Sequence, residues 1–391
     1  MVKNLDYAEL EGKNVVLRTD LNLPVEDGEP QKTVRFDRYL ETIRRLSEAG
    51  ARTMIMAHQG RPARNDFLSL ERHSEILSDS LDQELDFVQC FFGSSFGDAV
   101  ASMGDGDICM LENVRFLSEE LQNAPPEKHA DDYFVQNAKD YFDLYVDDAF
   151  SAAHRSHASL VGFTEHLDSY PGPIMQRELE NCRKVRDQFD EGLLVLGGEK
   201  PSDVIGMLEE MIESVDEVLL GGVPGELALK INEKKLGQKT DWIEKHGFNT
   251  KASELEKMLQ NYSEKITVPE DLETDSGNHK AGEVPEDEMT WDIGEKTREK
   301  YAQKIKKAEA VVMKGPMGAF DQGHEKGSKK IVNALAETEA YSVIGGGHTS
   351  SLVHRYDHEI KDFDHVSIAG GAFVRFMSGE KLAAVEALRN Q

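Results

Sequence analysis

Arginine and histidine recur at the ends of short apolar runs in the first half of this chain. Val15-Val16-Leu17 leads to Arg18, Asp20 and Asn22, and the run 53–57 leads to His58, Gln59, Gly60 and Arg61. The run 108–111 leads to Arg115, and Leu144-Tyr145-Val146 leads to Asp147, Asp148, His154, Arg155 and His157. Arg35 follows the first of these loops. A guanidinium meets phosphate or carboxylate with two parallel hydrogen bonds, where an ammonium is only a point charge. Any one of these arginines could instead pair with a nearby acid. Together, at the same end of successive runs, they call for an anionic ligand whose hydroxyls Asp20 and Asn22 could hold. The histidines say little alone, since the spacing in HRSH is not that of a zinc-binding helix.

The second half turns differently. The run 193–196 enters Gly197-Gly198-Glu199-Lys200, the run 218–220 enters Gly221-Gly222, and the run 310–313 enters Lys314-Gly315-Pro316. The run 342–344 enters Gly345-Gly346-Gly347-His348-Thr349, and the last run enters Ala369-Gly370-Gly371. Glycine lets the backbone approach a ligand closely, and a helix N-terminus beyond it offers free N–H groups and partial positive charge. That chemistry suits nucleotide phosphates. One such turn would be weak; five in one half are not. Lys200 is the candidate cation for a transferred phosphoryl group, the plain alternative being a surface lysine. No GxxxxGK[ST] loop is present, and MGDGDICM lacks the third glycine of a dinucleotide fingerprint.

Apolar runs alternating with helix-spaced stretches such as 37–50 and 70–85 predict parallel sheets covered on both faces. In open sheets of this kind ligands bind beyond the carboxyl ends of the strands, where the loops above lie. The fold class expected is α/β, two doubly wound parallel-sheet domains joined by a hinge helix. The boundaries are 1–172 for an anion-binding N-terminal domain, 173–192 for the connecting helix and 193–373 for a nucleotide-binding domain. The acidic stretch 271–288 has little periodicity and reads as a surface loop. An anion-binding half and a nucleotide-binding half imply ligands that meet across a closing cleft.

Composition narrows the partners. Over 391 residues, 73 acidic side chains face 45 basic ones, a formal net charge of −28. Such a chain repels nucleic acid and anionic membrane. Its self-repulsion points to a salt-rich host cytosol, although 27 lysines outnumber 18 arginines. No apolar run approaches the roughly 20 residues that span a bilayer. The polar N-terminus is not a secretory signal, and three scattered cysteines give neither a disulfide framework nor metal-ligand spacing. A cytoplasmic location follows as the expectation.

The segments VVLRTDLNLP, AHQGRP, LENVRFLSEE, VDDAFSAAHRSHAS, LGGEKPSD, MKGPMGAFD, SVIGGGHTS and HVSIAGGA run in order from residue 15 to 372. In these the chain resembles the phosphoglycerate kinase family over nearly its whole length. The resemblance implies reversible phosphoryl exchange between 1,3-bisphosphoglycerate with Mg-ADP and 3-phosphoglycerate with Mg-ATP, without a covalent enzyme intermediate. It implies that the C-terminal segment 374–391 returns to the first domain; a monomer is the separate expectation. Asp20, Asn22, Arg35, His58, Gln59, Gly60, Arg61, Arg115 and Arg155 would bind the phosphoglycerate, Arg35 also reaching the transferred group. Lys200, Gly222, Gly315, Asp321, Gly345, Gly346, Gly347, His348 and Thr349 would bind ATP or ADP. Arg35 and Lys200 form the implied catalytic pair.

The departures from the family pattern lie mostly in the nucleotide half. Glu199 replaces an alanine, Val204 a lysine, Lys314 an asparagine, Asp321 a glutamate and His348 an aspartate. Lys314 is expected to restore the cation missing at 204. Neutral imidazole is a poor magnesium ligand, so no protein metal ligand is assigned and Mg2+ is expected on nucleotide phosphates and water, with His348 facing a phosphate. A nicotinamide-dependent oxidoreductase would need a fingerprint that is absent. A hinged anion receptor would not need the glycine turns and Lys200 opposite the arginines.

Overall fold

In this computed structural model residues 5–188, 192–367 and 369–389 are described. The short apolar runs become strands because a fully buried parallel strand wants an unbroken run rather than alternation. In the first unit these are β1 (Asn14–Arg18), the small hairpin β2 (Val25–Glu26) and β3 (Glu29–Pro30), β4 (Arg52–Met56), β5 (Asp86–Val88), β6 (Ile108–Leu111), β7 (Leu144–Asp147) and β8 (Asp168–Pro171). Six of them form one sheet in the order β5-β6-β4-β1-β7-β8, every pairing parallel. Its core gathers Val16, Met54, Leu111, Tyr145 and Phe163, all buried.

The second unit holds β9 (Gly192–Leu196), β10 (Val215–Leu220), β11 (Ile266–Thr267), β12 (Asp271–Thr274), β13 (Gly277–Lys280), β14 (Asp292–Ile293), β15 (Ala310–Lys314), β16 (Tyr341–Gly345) and β17 (His365–Val366). Its main sheet runs β11-β10-β9-β15-β16-β17, again entirely parallel. The chain leaves β9 toward β10 on one side and returns as β15 on the other. Such a reversal opens a crevice beyond the strand ends.

The stretch 271–288 is not the surface loop its composition suggests. β12 pairs antiparallel with both β13 and β14. All four residues of β12 are buried, two of them acidic, so the alternation that would have marked the strand is missing. Those acids have structural partners. Asp271 accepts from the Lys296 and Thr297 amides and so caps the helix Glu295–Ile305. Glu273 accepts from Arg298 at 2.7 Å and Lys326 at 3.0 Å.

One unit comprises the chain through Glu180 together with its end from Lys381; the other is Asn181–Glu380. The helix Pro173–Gln188 carries the chain from one to the other. Asp148 caps that helix within the first unit, accepting from the Ile174 and Met175 amides at 2.8 and 2.9 Å. In the second, Asn181 donates to His365 Nδ1 at 3.1 Å. The C-terminal return begins at Lys381 rather than at residue 374. The helix Gly371–Met377 stays with the second unit, where the Phe373 ring fills the space that a side chain on Gly345 would need. From Ala383 the last helix joins the first unit, the Ala384 amide donating to the Ala153 carbonyl at 3.0 Å.

Candidate functional site

In the first unit, the loops beyond β1, β4, β6 and β7 enclose a pocket of about 900 Å³. Asn22, His58, Gly60, Arg61, Arg115 and Arg155 all line it, joined by Arg64. Gly60 makes its shape. At φ +63° a side chain there would overlap the Asp66–Phe67 backbone, so the loop can fold back on itself only with glycine. Asn22 Oδ1 accepts from the Gly60 amide at 2.8 Å, and the Arg115 guanidinium donates to the Gly60 carbonyl.

Other candidates stand behind or beside this wall. Gln59 is wholly buried, bridging the Leu23 amide at 2.9 Å and the Leu23 carbonyl at 3.0 Å. Its side chain braces the loop after β1 and is not among the residues lining the pocket. Arg18 is also buried, under the pocket rather than in it. Asp20 pairs with Arg35 at 3.0 Å and accepts from the Ser151 hydroxyl. Burial would raise the Asp20 carboxyl, but the Arg35 guanidinium first, then hydrogen bonds from the Ser151 hydroxyl and the Asn22 amide, hold it down at about 2. Arg35 is set in the first turn of the helix Val34–Glu48, whose Thr33 cap accepts from the Phe36 amide. Burial first, then Arg18, pushes His58 down to about 3, so its imidazole is neutral.

In the second unit, the turns after β9 and β15 lock together across the crevice. The Gly197 amide donates to the Lys314 carbonyl at 2.8 Å and the Gly198 amide to that of Pro316 at 2.7 Å. Gly315 has φ +83°, and a side chain there would overlap Gly197. Its amide donates to Thr349 Oγ1 at 2.8 Å. Around these turns lies a pocket of about 410 Å³, lined by Gly198, Lys200, Gly222, Gly315, Asp321, Gly346 and Thr349 among others. Gly345 does not line it and instead makes room for Phe373; Gly347 is at the start of the helix Gly347–Arg355. The side chain of His348 lies outside the described residues.

Lys314 lines the same pocket as Lys200, paired with Asp203 at 3.6 Å, while Val204 is fully buried. Burial, with Lys200 nearby, lowers the Lys314 pKa against the pull of Asp203. The sequence reading missed the pocket's other end, where Trp242, Met289 and Trp291 gather. There Lys239 sits 3.2 Å from Glu226 and 4.7 Å from the Trp242 ring centre. These residues come from the helix Lys239–Lys245 and the approach to β14, away from the strand-end loops that drew attention. The one signal was that the chain has only two tryptophans.

Two doubly wound parallel units, one carrying an arginine-lined pocket and the other a glycine-turn pocket, define a class: two-domain α/β phosphotransferases. The phosphoglycerate kinase family model matches residues 5–380. Curated phosphoglycerate kinases of Haloarcula marismortui and Methanopyrus kandleri are 40% and 41% identical, covering 97% and 99% of this chain and 97% of each relative. The crystal structure of phosphoglycerate kinase from Pyrococcus horikoshii superposes with a TM-score of 0.91 at 32% identity, over 99% of this chain and 98% of that one. The Coxiella burnetii enzyme gives 0.82 at 26% identity, over 100% and 99%. This chain belongs to the phosphoglycerate kinase family. Its reaction is the reversible transfer of a phosphoryl group between 1,3-bisphosphoglycerate and ADP, giving 3-phosphoglycerate and ATP. No described helix is long and apolar enough to cross a membrane.

Proposed function

We propose that the first unit holds the phosphoglycerate and the second the nucleotide. The observation that carries this is the convergence of Arg61, Arg64, Arg115 and Arg155 on one pocket, in a chain of net charge −28. A guanidinium meets phosphate or carboxylate with two parallel hydrogen bonds, so four lining one pocket suit a ligand that carries both groups. Asn22 and His58 add neutral hydrogen-bonding groups. Gln59 supports the wall from behind, and Arg35, held by Asp20, reaches the transferred group. The nucleotide phosphates rest on the turns at Gly198, Gly222, Gly315 and Gly346, with Lys200, Lys314 and Thr349 around them.

Each pocket is built from one unit alone, so transfer requires the units to bring their ligands end to end, with the helix Pro173–Gln188 as the hinge. Catalysis is then positioning and charge neutralisation. Among the described residues no group of three or more His, Cys, Asp or Glu side chains is placed to hold a metal. Mg2+ would be carried mainly by nucleotide phosphates and water, and would neutralise phosphate charge. We further propose a monomer that works in the cytoplasm.

A coupled assay of 3-phosphoglycerate-dependent ATP consumption tests the assignment. Arg35→Ala is expected to lower kcat by ~100-fold or more, a far larger effect than the modest fall in unfolding midpoint from leaving the buried Asp20 without its partner. A variant with wild-type turnover would remove Arg35 from the catalytic set.

A further inference from the structure

A file of buried side chains runs beneath the arginine-lined pocket. Glu120, Ser159 and Arg18 are at most 1% exposed and His58 is 5% exposed. A single π-turn over Ala158–Gly162 brings Ser159 into the file, held there by Tyr145, whose hydroxyl donates to the Ser159 carbonyl. Ser159 Oγ lies 2.8 Å from Glu120 Oε1. Arg18 Nε lies 2.8 Å from Ser159 Oγ, and Arg18 Nη2 lies 3.0 Å from His58 Nδ1.

Chemistry gives every link a direction. An ionised carboxylate can only accept, so Ser159 spends its one hydroxyl proton on Glu120. Ser159 must then accept from Arg18, which has donors and no acceptor. Arg18 can only donate to His58 as well. The Nδ1 of His58 is therefore the lone-pair nitrogen. We infer that this relay, Glu120–Ser159–Arg18–His58, fixes His58 as a neutral imidazole with its proton on Nε2, presented to the pocket as a hydrogen-bond donor.

Arg18, Ser159 and Glu120 are thus positioning residues. The charges around the ring agree. Burial, Arg18, Arg155 and His157 oppose its protonation and outweigh Asp20, which favours it, while Arg61 and Arg115 line the same pocket. Glu120, although buried, is kept ionised by His157, Arg18 and the Ser159 amide. His58 therefore contributes direction rather than charge. It asks for an acceptor oxygen, and that demand does not change over roughly pH 5 to 8, where a free histidine would switch. The functional consequence rests on the pocket being the phosphoglycerate site; the tautomer does not.

Long-range proton–nitrogen NMR on the intact protein, labelled at histidine and assigned by comparison with His58→Gln, reads the tautomer directly. The expected spectrum has an unprotonated Nδ1 and a protonated Nε2 that do not titrate between roughly pH 5 and 8. A proton on Nδ1, or titration within that range, overturns the relay. Arg18→Met removes the donor; it should shift the ring toward the other tautomer and raise KM for 3-phosphoglycerate by about tenfold, with KM for ATP unchanged. Arg18→Lys, which can still donate, should recover part of that loss. Arg18→Met with a wild-type ring spectrum also overturns the relay. If Arg18→Met does not fold, the wild-type spectrum decides alone. If the tautomer is as inferred but 3-phosphoglycerate leaves the Nε2–H resonance unmoved, the relay stands and the pocket assignment fails.

Discussion

Lys314 and Lys200 face one glycine-lined pocket, and they carry most of what is unusual in its chemistry. Their mutual repulsion and the burial of Lys314 work against a second ammonium there, and Asp203 offsets only part of that. A cation kept in such a place is poised for an anion that arrives later, since incoming phosphate gains most where water has already been stripped away. Lys314→Met should therefore raise KM for ATP and ADP by about tenfold while leaving that for 3-phosphoglycerate unchanged. Steady-state kinetics on both substrates checks this; unaltered nucleotide affinity and turnover would show that Lys314 does not compensate for Val204. Among the residues, arginine and glycine types were readable in the chain because their chemistry is intrinsic. The separate duties of Arg18, Gln59 and Arg61 were not, because all three stand in or beside strand-end loops and only packing decides which faces the pocket.

At the scale of elements, the strand ends store unfavourable charge. Asp147 closes β7, where one oxygen accepts from the Ala149 amide at 2.9 Å and the other is buried with no hydrogen-bond partner. Burial pushes its carboxyl up to about 7 from an ordinary 3.8. A raised acid favours the fold where it is protonated: the contribution is complete below pH 3.8 and is lost as pH rises toward 7. Asp147→Asn has no such loss. Its stability relative to wild type should grow between about pH 4 and pH 8, by ~4 kcal/mol. Urea unfolding at the two ends of that range measures it, and a constant difference would mean that Asp147 titrates normally. β12 teaches the same lesson from sequence. Its acids looked solvated, yet Asp271 caps a helix and Glu273 pairs with Arg298 and Lys326. A strand whose buried positions are polar does not show period-two hydrophobicity, so no pattern along the chain could reveal it.

For the whole molecule the governing fact is the excess of acids, 73 against 45 bases. Repulsion among surface carboxylates opposes the compact state and is screened over about 10 Å at 0.1 M salt and about 3 Å at 1 M. The thermal midpoint is expected to rise by several degrees or more between low and molar KCl. Equal midpoints would show that the charge is already balanced locally by ion pairs such as Arg298–Glu273. The chain by itself determined the class of fold, the family and the strand ends whose loops line the two pockets. Apolar runs, guanidinium groups and glycines keep their properties wherever they are placed. The tertiary structure alone decided which candidates share a pocket, which ones brace it from behind, and that two tryptophans and a buried ion pair complete the glycine-lined pocket. Those outcomes depend on distances between residues far apart in the chain, and on which polar groups lose their water when the sheets close.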